Sequence, residues 1–246
     1  VKTGEKKATE LGKVFYYDLY GKREDKYAFL EKTPFAEVEY KELNPIAPMY
    51  FFVPKDFELM EEYEKGVKIN ELFSLGSMGI TTGRDKELVS MQPFKSENNL
   101  PYCYRPFDVQ WIDYDVERIA RARENIMVHL KKQNTALCLI KINSSSDGLF
   151  KVLVSSCMTD KTILSSKDNA NVFPLYLYTD EFGKETKVAN LNEDEWQKFN
   201  NAIGRTTTPE ELLAYIYAVL HSPRYRERYK EFLKIDFPRI PLPASE

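Results

Sequence analysis

The sequence predicts an α+β fold: mixed, mostly antiparallel sheet with a central helix and a helical C-terminal segment. Three observations carry this. Short runs rich in aromatic and β-branched residues recur between turn signals from Lys13 to Tyr178. In their midst, the stretch from Asp115 to Leu130 changes to a helical period. The last third then carries two helix starts, Thr208-Pro209 and Ser222-Pro223, each a hydroxyl residue followed by proline.

In chain order, Lys13 to Leu30 reads as a hairpin whose aromatic runs are joined across Gly21 to Asp25. Ala36–Leu43 and Met49–Val53 read as a strand pair around the proline-bearing NPIAP turn. Phe57 to Leu75 has helical spacing that Gly66 should break into two short helices. Gly76 to Asp85 (GSMGITTGRD) is a glycine loop that permits close backbone approach to something bulky. In it Thr81, Thr82 and Arg84 could donate to phosphate oxygens, or Arg84 could pair with Asp85 on a plain surface loop.

Tyr102 to Tyr114 is strand-like, with Pro106 at an edge or bulge. A helix from Asp115 would align Arg118, Arg121, Asn125, His129 and Lys132 on one stripe beside an apolar stripe of Ile119, Ile126 and Leu130. That pattern suits either a donor face for a polyanion or a solvated face over a core. Thr135–Ile142 is a buried-type strand, followed by strand candidates at Phe150–Ser156, Met158–Ser166 and Asn171–Tyr178. Asp180–Asn192 reads as a polar connection and Glu193–Ile203 as a helix. A capping box predicts a helix over Pro209–His221, and a second helix should start at Pro223 with Tyr225, Tyr229 and Phe232 on its packing side. The FPRIPLP tail should lie extended along the body.

A chain of 246 residues with 43% hydrophobic content builds one large domain or two small ones. Its 35 basic and 38 acidic residues leave a net charge of -3, without the global basic excess of a free-standing DNA-binding protein. Three widely spaced cysteines support neither a disulfide framework nor a zinc site and suit a reducing cytoplasm. No run is long enough for a membrane span, no leader is visible, and the start at Val1 inside a mixed charged segment suggests a piece of a longer polypeptide.

Catalytic and metal chemistry is not expected. His129 and His221 have no partners at ligand spacing. Glu39-Tyr40-Lys41 lacks the upstream acids of a nuclease site, and Asn44-Pro45 is followed by Ile46 and Ala47, where a methyltransferase motif needs a ring. No phosphate-binding loop, dinucleotide fingerprint or nucleophile elbow occurs.

Five stretches, MGITTGRD (78–85), YCYRPFDVQWIDY (102–114), RARENIMVHL (121–130), VFPLYLY (172–178) and the long C-terminal run 212–243, together resemble the C-terminal specificity region of type ISP restriction-modification enzymes. The resemblance implies a DNA target recognition domain over 76–246, with 1–75 as a junction following a methyltransferase domain outside this chain. It implies double-stranded DNA and that methyltransferase domain as partners, and S-adenosylmethionine bound there, with no cofactor in this chain. It would place Thr81, Thr82 and Arg84 near the DNA backbone. Tyr104, Arg105 and Asp108 belong to the strand signature, where Arg105 and Asp108 could equally form a structural pair. Arg121, Arg123 and His129 match the helix that follows, and Tyr225, Arg226, Arg228, Pro238, Arg239 and Pro241 match the C-terminal signature, as scaffold or contact. The expected function is to read sequence and position a target adenine for N6 methylation. The competing expectation is a non-catalytic interaction or structural domain that never touches DNA.

Overall fold

Two separate bodies of unequal size make up the chain, Val1–Phe57 and Glu58–Glu246. The computed structural model describes residues 12–47, 49–143, 150–181 and 184–243. In the first body β1 (Val14–Tyr16) pairs antiparallel not across a hairpin but with β2 (Lys41–Leu43), and α1 (Arg23–Lys32) fills the span between. The expected hairpin fails for an electrostatic reason. Past Gly21 the segment REDKYAFLEK carries Glu24 and Asp25 in its first turn, after Arg23, and closes with Lys32, a balance that suits the helix macrodipole. Tyr17 and Phe29, expected in facing strands, stack instead with ring centroids 5.8 Å apart. Met49–Val53 forms no strand either, and Tyr50 there takes φ +45°, outside the extended region.

The second body begins with α2 (Met60–Glu64), β3 (Val67–Lys68) and α3 (Ile69–Leu72). Gly66 does separate two helices: a Cβ there would stand 3.0 Å from the Ile240 carbonyl oxygen, so a larger residue would make the C-terminal strand give by a few tenths of an ångström. Next come β4 (Ser77–Met78), α4 (Asp85–Leu88), β5 (Val89–Ser90), β6 (Asn99–Arg105) and β7 (Asp108–Asp113), then α5 (Glu124–Met127) with a 3₁₀ turn over Val128–Leu130. The sheet elements β8 (Ala136–Ile140), β9 (Val152–Ser155), β10 (Met158–Thr159), β11 (Ala170–Pro174), β12 (Tyr176–Glu181) and β13 (Lys184–Ala189) follow. The chain finishes with α6 (Glu193–Ile203), α7 (Pro209–His221), α8 (Pro223–Arg228) and β14 (Arg239–Ile240).

Two four-stranded sheets organise this body. One has the order β10-β6-β7-β5 and the other β4-β11-β8-β9, and every pair is antiparallel except β10 with β6. A parallel bridge from Ile80 to Asp160 leads from one to the other. All five residues of β8 are buried, as its continuous apolar run predicts, and Ile126 and Met127 of α5 are fully buried. Asn190, also fully buried, takes the Leu75 N–H at 2.8 Å and donates to the Leu75 and Pro174 carbonyls at 2.7 Å each. It thereby satisfies backbone groups that the sheet leaves over.

The central helix is the largest departure from expectation. From Asp115 the chain makes a tight turn in which the Asp115 carboxylate accepts the Glu117 N–H. It then runs extended so that Arg121 pairs with Thr81. Arg123 takes a left-handed φ of +57° before four residues of helix form. Forming that edge bridge and the left-handed kink excludes a continuous helix, so the proposed stripe from Arg118 to Lys132 does not exist. The strand expected over Met158–Ser166 stops after Thr159, where the Asp160 carboxylate draws in the Thr162 N–H at 2.7 Å and turns the chain. Conversely, the polar connection Asp180–Asn192 contains β13, paired with β12 in six-residue register.

The C-terminal helices fall where predicted. Thr208 and Glu211 form the reciprocal capping box, and Asn192 caps α6 through the Glu195 N–H. The helix begun at Pro223 ends at Arg228, but Tyr225, Tyr229 and Phe232 are buried as expected, with the last two rings 5.0 and 4.6 Å from Tyr63. The tail pairs antiparallel with β3. No helix among the described residues is long and apolar enough to cross a membrane.

Candidate nucleic-acid interface

The glycine loop approaches its own protein, not an open surface. A Cβ at Gly76 would stand 2.3 Å from the Phe173 ring, and one at Gly79 would stand 2.6 Å from the Asp160 backbone. Gly83 takes φ +70°, which turns the loop into α4. These contacts wedge the loop between the two sheets and push its far end, Arg84 to Lys86, into solvent.

Around α4 three remote segments meet. The Tyr104 hydroxyl, on β6, donates to the Asp85 carboxylate at 2.8 Å, and the Thr82 hydroxyl donates to the other oxygen of that group. The carboxylate raises the Tyr104 phenol above its ordinary pKa. Arg105 lies 3.8 Å over the Tyr104 ring and pairs with Asp160 at 3.3 Å. Asp160 also accepts from the buried Tyr102 hydroxyl at 2.6 Å, which anchors the base of the β6–β7 hairpin. The third segment enters through backbone: Thr81 and Arg121 exchange N–H···O bonds of 3.1 and 2.9 Å, and the Ala120 N–H reaches the Thr82 carbonyl at 3.0 Å.

This arrangement sorts the predicted residues. Arg84 and Arg121 are exposed, and among the described residues neither guanidinium has an ion-pair partner; the alternative Arg84–Asp85 pair is not formed, because Asp85 serves Tyr104 and Thr82. Thr81 is half-buried beside Arg121, and Tyr104 and Arg105 line the same neighbourhood. Arg118 reaches it too but is engaged with Asp113 at 2.9 Å and Glu87 at 3.8 Å. Arg123 and Asn125 follow on the next turn; Asn125 is exposed, while the Arg123 Nε is buried with no hydrogen-bond partner among the described residues.

Four candidates are committed elsewhere. Thr82 is 1% exposed, and its hydroxyl is spent on Asp85. His129 is buried, its Nδ1 accepts the Tyr178 N–H at 3.1 Å, and burial holds the imidazole below its ordinary pKa. A neutral, internally bonded ring cannot meet a phosphate. Arg226 folds back on the end of α7, its Nε donating to the Leu220 carbonyl at 2.5 Å, as orphan helix carbonyls require. Arg228 pairs with Glu62 at 2.5 Å and fastens α8 to α2.

Sequence reasoning missed Phe107. It was read as a strand residue, yet it occupies the tip of the β6–β7 hairpin with φ +61° and is 95% exposed. The signal was present in Arg105-Pro106-Phe107-Asp108, because proline between two strand runs marks a turn whose next residue projects outward. No group of described His, Cys, Asp and Glu residues could hold a metal ion.

The outward elements of this mixed fold are an arginine-bearing loop, an aromatic hairpin tip and a bridged arginine. The profile of the Type ISP C-terminal specificity domain matches residues 86–246, more than half of the chain. The chain belongs to that family. Among solved structures it is similar to a DrdV–DNA complex, with TM-score 0.78 and 19% identity over 94% of this chain and 29% of that one. It is also similar to the Type ISP restriction-modification enzyme LlaBIII bound to DNA (TM-score 0.67, 17% identity, 83% and 17% coverage). A nuclease-deletion mutant of the Type ISP enzyme LlaGI in complex with a DNA substrate mimic gives TM-score 0.69 and 18% identity, with 96% and 22% coverage. The chain thus spans less than a third of each of these polypeptides, and at such identities the likeness is one of fold. No curated protein matches.

Proposed function

We propose that this specificity domain reads duplex DNA, and that Arg84 and Arg121 on the rim of α4 are its first phosphate contacts. The observation that carries the reading is their placement: the Thr81–Arg121 bridge sets beside the glycine loop two cations without ion-pair partners among the described residues, on a surface where Arg105 and Arg118 are neutralised. Unpaired, solvated guanidinia can take phosphate without first breaking an ion pair. Asn125 extends the donor set, and the β6–β7 tip adds an exposed aromatic ring, Phe107. DNA-bound structures of the same fold support DNA as the partner.

The finer reading rests on the family to which the chain belongs. The recognition unit, residues 76–246, positions a target adenine for N6 methylation by a methyltransferase domain outside this chain, where S-adenosylmethionine binds, in the cytoplasm. Residues 1–75 form the junction to it. The test is a titration of the chain with a mixed-sequence 30-base-pair duplex at rising salt (the duplex length is about three helical turns). Affinity should fall with salt, and Arg84→Ala with Arg121→Ala should flatten that dependence while the thermal transition stays in place. A binding curve indifferent to salt, or unchanged by both substitutions, rejects the reading in favour of a domain that meets protein partners.

A further inference from the structure

Two of the three cysteines, far apart in sequence, meet in the fold. Cys103 lies on β6 and Cys157 immediately precedes β10; they are separated by 54 positions, yet their sulfurs are 2.8 Å apart. The cause is the parallel register of β10 on β6, Met158 with Tyr102 and Thr159 with Cys103. A disulfide needs about 2.05 Å between sulfurs, so closing the bond requires an approach of roughly 0.8 Å. The two thiols are also chemically unlike. Cys103 is half-buried; its thiol shares a hydrogen bond with the Cys157 thiol, and its sulfur accepts one from the Ser155 hydroxyl at 3.1 Å. The Thr159 hydroxyl supports Ser155 from behind at 2.9 Å. The bond from Cys157 is the main reason the Cys103 thiol is held down to about 7; Ser155 helps and burial opposes. The same bond, with burial behind it, pushes the Cys157 thiol up. Cys138 is fully buried and pushed up to about 12 by that burial.

The geometry points to a dithiol oxidation site in which Cys103 reacts with a thiol oxidant of the peroxide class and Cys157 closes an intrachain disulfide. Cys103, as thiolate, attacks one oxygen of hydrogen peroxide. The O–O bond breaks, a sulfenic acid forms, and the departing hydroxide takes up the proton the thiol had released. The Cys157 sulfur then attacks the Cys103 sulfur, the S–O bond breaks, and the leaving hydroxide carries off the Cys157 proton as water. Two thiols and one peroxide become one disulfide and two waters. The bond would staple β6, the strand that carries Tyr104 and Arg105, to the segment entering β10. This site stands whether or not the domain binds DNA.

The test treats the folded 246-residue chain with hydrogen peroxide, blocks remaining thiols, and maps peptides without reduction. The peptide holding Cys103 should be joined to the one holding Cys157, with Cys138 alkylated only after unfolding. The oxidised chain should melt higher, by about 5–10 °C, because a long loop is closed. A reductant should reverse the shift. In Cys157→Ser, Cys103 should stop at a sulfenic acid that dimedone traps; in Cys103→Ser, Cys157 should react no faster than Cys138. Accumulation of sulfenic or higher acids on wild-type Cys103 without linkage overturns the proposal. So does pairing no more selective than in the denatured chain.

Discussion

Tyr104 and Asp85, nineteen positions apart, are joined by a 2.8 Å hydrogen bond from phenol to carboxylate, and that bond ties the β6–β7 hairpin to the arginine-bearing loop. Tyr104→Phe keeps the ring that Arg105 covers and removes only the donor. The expected cost is about 1 kcal/mol of stability, the usual worth of such a bond at a partly solvated site. Because the loop then loses its tether, DNA affinity should weaken more than stability does. Parallel melting and binding curves on the variant check this; equal losses would mean the bond has no positioning role.

Arg84 and Arg121 are single, exposed cations without ion-pair partners among the described residues. Replacing either by alanine should lower the salt slope by about 1 and weaken binding to all duplexes alike, since phosphate carries no sequence information. Competition between unrelated duplexes checks the second half: a variant that changes preference instead of strength would place that arginine on a base edge.

Phe107 projects at a turn where burial contributes nothing to folding, being 95% exposed. Phe107→Ala should therefore leave the melting temperature unchanged. If the tip stacks on or wedges between bases, affinity should drop by roughly 10-fold, within the ~1–3 kcal/mol of base–aromatic stacking. Phe107→Trp should retain binding, and its emission should be quenched by duplex.

Asn190 bonds three backbone groups with no exposed surface. Asn190→Ala should leave the Leu75 N–H and two carbonyls unsatisfied and cost about 3 kcal/mol or more. Chemical denaturation measures it directly, and a loss under about 1 kcal/mol would mean water replaces the amide.

Glu62 is held down to about 2 by the Arg228 guanidinium and the Tyr229 hydroxyl. Its pKa is depressed in the folded state, so the stability it contributes is present above the ordinary carboxylate value and lost as pH falls towards 2. Glu62→Gln should flatten the acid limb of the stability curve between about pH 4.5 and 2. The pair is exposed, so added salt should shrink the difference.

How much of this was legible depended on where the deciding interaction lay. Local chemistry was read well: the Thr208–Glu211 box and the buried run of β8 each announce themselves within a few residues. The central segment was misread because a pairing between Thr81 and Arg121, forty positions apart, overrides the helical period. β13 was missed for the opposite reason. Its side chains are mostly exposed on a two-stranded ribbon, so no apolar alternation was needed to hold it. Of the candidate contacts, the glycine loop was expected to let the backbone approach something bulky, and at Gly76 and Gly79 that is Phe173 and Asp160 of the same chain. Phe107 could be recognised only once the turn at Pro106 was placed.

The pairing of Arg239–Ile240 with Val67–Lys68 brings the two extremities of the larger body to one spot. A module whose entrance and exit adjoin can be permuted, or exchanged for a homologous cassette, without stretching either seam. This body could then be transplanted whole, with the ladder between those four residues as the splice to preserve.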